Sequence, residues 1–114
     1  MYDRRAADAL WQELRGALLA GAREHNGRGS QSILIDDARQ SALRLQNRQR
    51  CLDVEASRDV VICTIRSDAD PDARQEVPIE LHPGTVPSFW LDGRAQFAEI
   101  VARRLLESLL QHEG

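Results

Sequence analysis

The fold is decided by residues 50–66, which read RCLDVEASRDVVICTIR. Apolar and polar residues alternate in the first half of this stretch, and β-branched residues fill the second half. Both patterns are typical of β-strands. We therefore expect strands over residues 50–56 and 59–66, joined by a turn at Ser57-Arg58.

The register of this hairpin defines a core stripe. A two-residue turn pairs Val54 with Val61 and Leu52 with Cys63. The turn contains no glycine, so a register displaced by one residue stays open. In the first register one face of the hairpin is apolar throughout, with Leu52, Val54, Val61, Cys63 and Ile65.

Amphipathic helices bracket the strands. Apolar residues recur at three- and four-residue spacing over residues 3–25, and Asn and Gly follow as stop signals. A second helix is expected to open at Asp92-Gly93 and to run to about Gln111. Its apolar face aligns Phe97, Val101, Leu105 and Leu109.

Further strands precede and follow the hairpin. Residues 33–35 form a short β-branched run. The next segment is ambiguous, because residues 38–45 fit a helix and residues 42–46 fit a strand. We favour the strand, since a turn and a clear strand follow it. Alternation also predicts strands over residues 76–82 and 86–91.

The order of elements indicates one α+β domain over residues 1–114. We expect an N-terminal helix, an antiparallel meander sheet of five to six strands and a C-terminal helix, with both helices packed on one sheet face. Pro78 has no N–H group to donate. Its strand must therefore lie at a sheet edge, or Pro78 must sit where the missing N–H faces outward.

Composition sets limits on location and partners. The chain has 114 residues, no long apolar segment and an N-terminus unlike a signal peptide, so we expect a cytoplasmic protein. All 15 basic residues are arginine, which favours a GC-rich bacterial genome. Acidic residues number 18 and the net charge is −3, which argues against a nucleic-acid partner.

One stretch of the chain is locally basic. It contains Arg39, Arg44, Arg48 and Arg50, with no acidic residue between Asp37 and Asp53. This candidate basic stripe could bind phosphate or an acidic protein. It contains no aromatic residue on which a base could stack, so nucleic-acid binding is not expected.

No motif for catalysis, a metal or a cofactor is present. The three histidines, His25, His82 and His112, lie near the ends of predicted elements and show no zinc-site spacing. Cys51 and Cys63 fall on opposite faces of the predicted hairpin, which disfavours a disulfide between them. Residues 68–72 carry alternating aspartates but lack the glycine and glutamate of a calcium loop. We therefore expect no cofactor, no metal and no catalytic residue.

The sheet face opposite the helices is the candidate binding surface. A two-residue Pro83-Gly84 turn pairs Val77 with Trp90 and turns Phe89 outward, whereas a bulge at Gly84 turns Trp90 outward instead. With the first arrangement the open face carries four apolar side chains, Val60, Ile62, Phe89 and Leu91.

An apolar group on an open sheet face predicts contact with another surface, whereas a sheet that curves around the long helix would leave few of its outward apolar atoms exposed. We therefore favour a protein-interaction or assembly module without catalytic activity, either homodimeric through this face or bound to a protein partner. The main alternative is a small-ligand binder or enzyme with a pocket between sheet and helices, lined by Trp11, Trp90 and Phe97.

A second alternative is a partner-dependent role like that of bacterial secretion chaperones or immunity proteins, which are also small and acidic. The analogy with secretion chaperones is partial. Those proteins have a helix in the middle of the strand series, and residues 38–45 are the only candidate for one here.

Overall fold

A computed structural model describes residues 4–28, 33–47, 50–67, 72, 74–82 and 87–110. Within these residues, two helices flank seven strands. The elements are α1 (Arg4–Gly27), β1 (Leu34–Asp36), β2 (Ala42–Gln46), β3 (Arg50–Ser57), β4 (Val60–Ser67), β5 (Arg74–His82), β6 (Ser88–Leu91), β7 (Arg94–Gln96) and α2 (Ala98–Leu110).

The strands form one antiparallel meander in the order β1 to β7, so every pair of neighbouring strands is consecutive in the chain. Both helices pack on the same face of the sheet and against each other, around a single hydrophobic core. This confirms the predicted α+β class and the covering of one face. Neither described helix has the length and apolar character needed to cross a membrane.

The seventh strand comes from a turn that we expected to be a helix start. Asp92 and Gly93 have φ angles of 55° and 74°, and they join β6 to β7 with Leu91 opposite Arg94. Two positive φ values define the type I′ turn, whose twist suits a two-residue hairpin. The expectation that Asp92-Gly93 opens a helix is therefore wrong.

The second helix starts at Ala98, directly after Phe97. The carbonyl oxygen of Phe97 accepts hydrogen bonds from the N–H groups of Ile100 and Val101, both 3.1 Å long. Phe97 is thus the residue that caps the helix, and its side chain is 74 % exposed. Its predicted place on the apolar stripe is wrong, whereas Val101, Leu105 and Leu109 are buried as predicted.

The central hairpin turns one residue later than predicted. Arg58 and Asp59 form the turn, Val54 pairs with Cys63, and Leu52 pairs with Ile65. The pairing is displaced by two residues, and an even displacement keeps every side chain on its face. The predicted core stripe is therefore confirmed: all five of its residues are buried.

The register between β5 and β6 differs from the predicted register by an odd number of residues. The side chains of Phe89 and Leu91 therefore point to the opposite face from the one predicted. Trp90 pairs with Glu80, three positions further along β5 than the expected partner Val77. Phe89 and Leu91 therefore face the helices, where they are 2 % and 4 % exposed. Their expected outward placement is wrong. The turn at Pro83-Gly84 lies outside the described residues.

Pro78 occupies a locally unpaired side of β5. It lies opposite Ile62 of β4, whereas the ladder to β6 begins only at Glu80. The N–H of Leu81 donates to the carbonyl oxygen of Asp59 on the β4 side, at 2.7 Å. Because N–H directions alternate along a strand, Pro78 lacks its N–H on the side that β6 does not reach. This confirms the second of the two positions predicted for Pro78.

The ambiguous segment before the hairpin is a strand. β2 spans Ala42–Gln46 as predicted, and the described residues between 38 and 45 contain no helix. The strand β1 begins one residue later than expected, at Leu34. Ile33, just before it, is 3 % exposed and belongs to the core, whereas Leu34 is 68 % exposed.

Candidate interaction surface

The outer face of the sheet is the side opposite α1 and α2. No helix in the described part of the chain covers it, because both pack on the inner face. Most of its side chains are half-buried or exposed, as the burial patterns of the strands show. This is the surface on which any binding partner could meet the sheet directly.

Four apolar side chains adjoin one another near the middle of this face. Ile62 on β4 lies opposite Pro78 on β5, and one step along the strands Glu80 has Val60 on one side and Trp90 on the other. All four are half-buried or exposed. We call Val60, Ile62, Pro78 and Trp90 the apolar patch.

The Trp90 ring is held in place by two neighbours. Its indole Nε1 donates a 3.1 Å hydrogen bond to the Ser88 hydroxyl oxygen. The ring of His82 stacks on it with a centroid separation of 4.9 Å and an interplanar angle of 24°. A large aromatic ring with a fixed orientation loses little conformational entropy when another surface packs on it.

A carboxylate held by two guanidinium groups marks the other end of the outer face. Asp53 Oδ1 accepts a 2.6 Å hydrogen bond from Arg44 Nε, and Oδ2 accepts a 2.5 Å bond from Arg66 Nη2. The Asp53 carboxylate raises the pKa of both guanidinium groups through hydrogen bonding and charge attraction. Because both guanidinium groups are exposed to water, solvent screens each pair and its contribution to stability is small.

These charges line a shallow depression of about 460 Å³. Arg66 lies directly opposite Arg74 on β5, so two like charges are cross-strand neighbours. No ion pair to Arg39 or Arg74 exists among the described residues, whereas Arg44 and Arg66 share Asp53. The charged residues of the lining are Asp36, Arg39, Arg44, Asp53, Glu55, Arg66 and Arg74. Such an arrangement can accept a carboxylate of another molecule at Arg74 or Arg39.

The predicted basic stripe is not one continuous surface. Arg44 extends from the outer face, but Arg50 donates from Nη1 to the carbonyl oxygen of Ser108 near the end of α2, at 2.7 Å. A cation suits that position, because the last carbonyl groups of a helix carry partial negative charge. Arg39 borders the depression, and Arg48 lies outside the described residues.

The structure places two of the four residues predicted for the interaction face on the outer side of the sheet. Val60 and Ile62 lie on the outer face, as expected, whereas Phe89 and Leu91 are core residues. Sequence reasoning missed Pro78 and the pair Arg66 and Arg74. The alternation of residues 76–82 could have placed Pro78, but the arginine pair needs the register between β4 and β5.

The two thiols of the sheet are buried, and burial raises the pKa of each. Cys51 lies on the outer face near Asp53, and Cys63 lies on the inner face; both are free. Burial raises the pKa of Cys51, and burial raises the pKa of Cys63 to about 12. Because the thiolate is the nucleophile and the metal ligand, neither side chain is prepared for such chemistry at neutral pH.

The interior of the described fold is apolar. No polar or charged side chain among the described residues is buried, and none of their His, Cys, Asp and Glu side chains cluster in threes around a metal-sized site. A ligand site between sheet and helices would need convergent polar groups. Within the described part of the chain, the polar side chains that could contact a ligand or partner lie at the surface.

Comparison with known proteins adds no further constraint: no family model, curated protein or solved structure matches the chain.

Proposed function

We propose that this chain is a protein-interaction or assembly module without catalytic activity, and that it binds through the outer face of its sheet. The observation that carries this proposal is the apolar patch on a sheet face that no described helix covers. A contiguous apolar group on a folded surface is typical of a binding site.

The chemistry of the patch supports this proposal. Trp90 is half-buried and held by His82 and Ser88. Tryptophan is enriched among the residues that contribute most to protein–protein binding. The carboxylate and guanidinium groups at the other end of the outer face offer polar contacts beside the apolar patch, as the polar part of an interface does.

The positions of three aromatic residues favour this function over a ligand pocket. Trp11, Trp90 and Phe97 were expected to line a cavity between sheet and helices. Trp11 is buried in the core and donates to the carbonyl oxygen of Gln40. Trp90 lies on the outer face, and Phe97 is exposed before α2. Three aromatic rings in three separate places do not enclose a ligand.

The analogy with secretion chaperones is weaker in the folded chain than in the sequence. Those proteins interrupt their strands with a helix, whereas residues 42–46 here form β2. We therefore propose an interaction module without assigning it to that class. Its location in the cytoplasm is part of the proposal, supported by two free thiols in a chain that uses no disulfide.

Two matched arginine substitutions test which surface binds. Ile62→Arg places a charge in the apolar patch, and Ile100→Arg places the same charge on the helix layer, where Ile100 is 44 % exposed. Tagged wild-type and variant chains are used to isolate bound proteins from native cells. Each retained protein is then identified, purified and titrated against the three chains.

We expect the I62R variant to lose at least about tenfold in affinity for the purified partner, because a charge in an apolar contact must be desolvated. The I100R variant should bind like the wild type. Equal binding by I62R and the wild type, with both variants folded by circular dichroism, would show that the outer face is not the binding surface.

A further inference from the structure

We propose that the partner of the outer face is a second copy of this chain, packed face to face about a two-fold axis that crosses β5 at the level of Val77. This inference rests on the proposed function and names the occupant of the same surface. It is carried by two charges near opposite ends of β5: Arg74, which has no ion pair among the described residues, and Glu80, which there has only the 3.9 Å contact with His82.

Arg74 is a charge without a partner at one end of the strand. It is exposed, lies opposite Arg66, and has no ion pair among the described residues. Arg66 is already bound to Asp53. Like charges directly opposite one another destabilise a sheet, so an acidic group brought to Arg74 from outside relieves this repulsion.

Glu80 is the corresponding charge at the other end. Its side chain is 62 % exposed between Val60 and Trp90 of the apolar patch. His82 Nε2 lies 3.9 Å from Glu80 Oε1, and the imidazole is charged only when protonated. A basic group brought to Glu80 from outside compensates a carboxylate whose ion pair within the described residues is this long contact with a histidine.

A single two-fold rotation brings an oppositely charged residue of a second copy to both Arg74 and Glu80. Arg74 and Glu80 lie on the same face of β5 and are separated by about 20 Å along the strand. Val77 lies midway between them. A two-fold axis there, perpendicular to the strand and parallel to the sheet, places Arg74 of each copy over Glu80 of the other. This is the reciprocal contact that two-fold dimers require.

The dimensions of the face suit this packing. Facing sheets lie about 10 Å apart, which an arginine and a glutamate can bridge with extended side chains. Ile62 and Pro78 of both copies lie close to the axis, whereas Val60 and Trp90 lie further out, at the level of the Glu80 contact. From the strand lengths and spacing, one face of the sheet has an area on the order of 650 Å². This area is close to the roughly 800 Å² that each partner buries in a standard interface.

Charge reversal at these two positions gives a test with a specific signature. R74E places two glutamates opposite each other in each contact, and E80R places two arginines opposite each other. In an equimolar mixture of the two variants, each contact again joins an arginine to a glutamate. Sedimentation velocity at micromolar concentrations measures all three samples and the wild type.

The wild type should sediment as a dimer. Each single variant should dimerise at least about tenfold more weakly, and the mixture should recover the wild-type affinity. The controls R103E and E107R make the same charge changes at exposed positions of α2 and should dimerise like the wild type.

A wild-type chain that stays monomeric at about 100 μM would overturn the inference, as would single variants that dimerise normally or a mixture that stays monomeric. The proposed function fails separately. If the wild type is monomeric but I62R loses a purified partner that I100R keeps, the outer face binds a different protein, and only the second copy is excluded.

Discussion

The indole Nε1 of Trp11 donates a 2.8 Å hydrogen bond to the backbone carbonyl oxygen of Gln40. This bond joins α1 to the turn that precedes β2, across 29 positions of the chain. Trp11 is 2 % exposed, so folding removes the hydrogen bond between its N–H group and water. The carbonyl oxygen of Gln40 replaces that bond, and without it the N–H group would be buried with no acceptor. The bond therefore fixes where the start of the sheet meets the helix layer.

Replacing Trp11 with phenylalanine should lower the free energy of unfolding by about 2–3 kcal/mol, through the lost hydrogen bond and the lost ring volume. Trp90→Phe is the matched control, because Trp90 is half-buried on the outer face and its bond to Ser88 is accessible to water. It should cost less than about 1 kcal/mol. Urea unfolding of monomeric samples, at a protein concentration too low for self-association, measures both; equal losses would contradict the structural role assigned to Trp11.

Two glycines of α1 form a second matched pair. A Cβ at Gly16 would meet no atom within 4 Å, whereas a Cβ at Gly21 would meet Leu106 Cδ1 at 2.4 Å. Gly16→Ala should therefore raise the free energy of unfolding by about 0.5–1 kcal/mol through helix propensity.

Gly21→Ala gains the same propensity, but the Leu106 side chain between the helices must move. We expect G21A to be less stable than G16A by at least about 0.5 kcal/mol. Thermal unfolding of both variants measures the difference. A G21A variant as stable as G16A would mean that α1 and α2 do not approach closely at this point.

The turn at Asp92-Gly93 should be sensitive to a Cβ atom. Gly93 has a φ of 74°, a region that costs an alanine roughly 1 kcal/mol. Gly93→Ala should lower stability by about that amount. Arg58 has a φ of 57° in the other described two-residue turn, so Arg58→Gly should do the opposite and raise stability. Denaturant midpoints of the two variants should move in opposite directions from that of the wild type.

Cys63 makes stability depend on alkaline pH. Burial raises its pKa from 9.0 to about 12, so the unfolded chain loses the thiol proton at lower pH than the folded chain does. The protonated Cys63 thiol therefore contributes fully to the free energy of unfolding below pH 9, and this contribution is lost as pH rises toward 12. Between about pH 8 and pH 10 it should reduce the free energy of unfolding by about 1.4 kcal/mol.

Cys63→Ala removes this thiol, so its stability should fall less than that of the wild type over the same pH range. Cys51→Ala is the control, because it retains Cys63 and should retain the larger share of the dependence. A C63A variant with an unchanged slope in urea unfolding against pH would show that the thiol ionises similarly in both states.

In the central hairpin the predicted turn was wrong by one residue, but the predicted core residues were correct. The turn was predicted at Ser57-Arg58 and is observed at Arg58-Asp59, whereas Leu52, Val54 and Cys63 are buried as predicted. Alternation has a period of two, so only an odd displacement changes faces. Neither residue of the observed turn is glycine. The positive φ of Arg58 therefore could not be predicted from the residue types of the turn.

The same rule explains the error at Phe89 and Leu91. Strand β6 has large apolar residues at three adjacent positions, Phe89, Trp90 and Leu91. Burial alone could not choose between the two faces. The pairing of Trp90 with Glu80 decided it, and that pairing depends on contacts between β5 and β6.

The residues of this chain determined by themselves that two amphipathic helices bracket a meander of strands, because periods of 3.6 and two are properties of local geometry. Only the tertiary structure decided which aromatic residue lies on the outer face, and that Arg66 adjoins Arg74 there. Those outcomes depend on register, which is set by side chains from different strands packing together and not by any one segment.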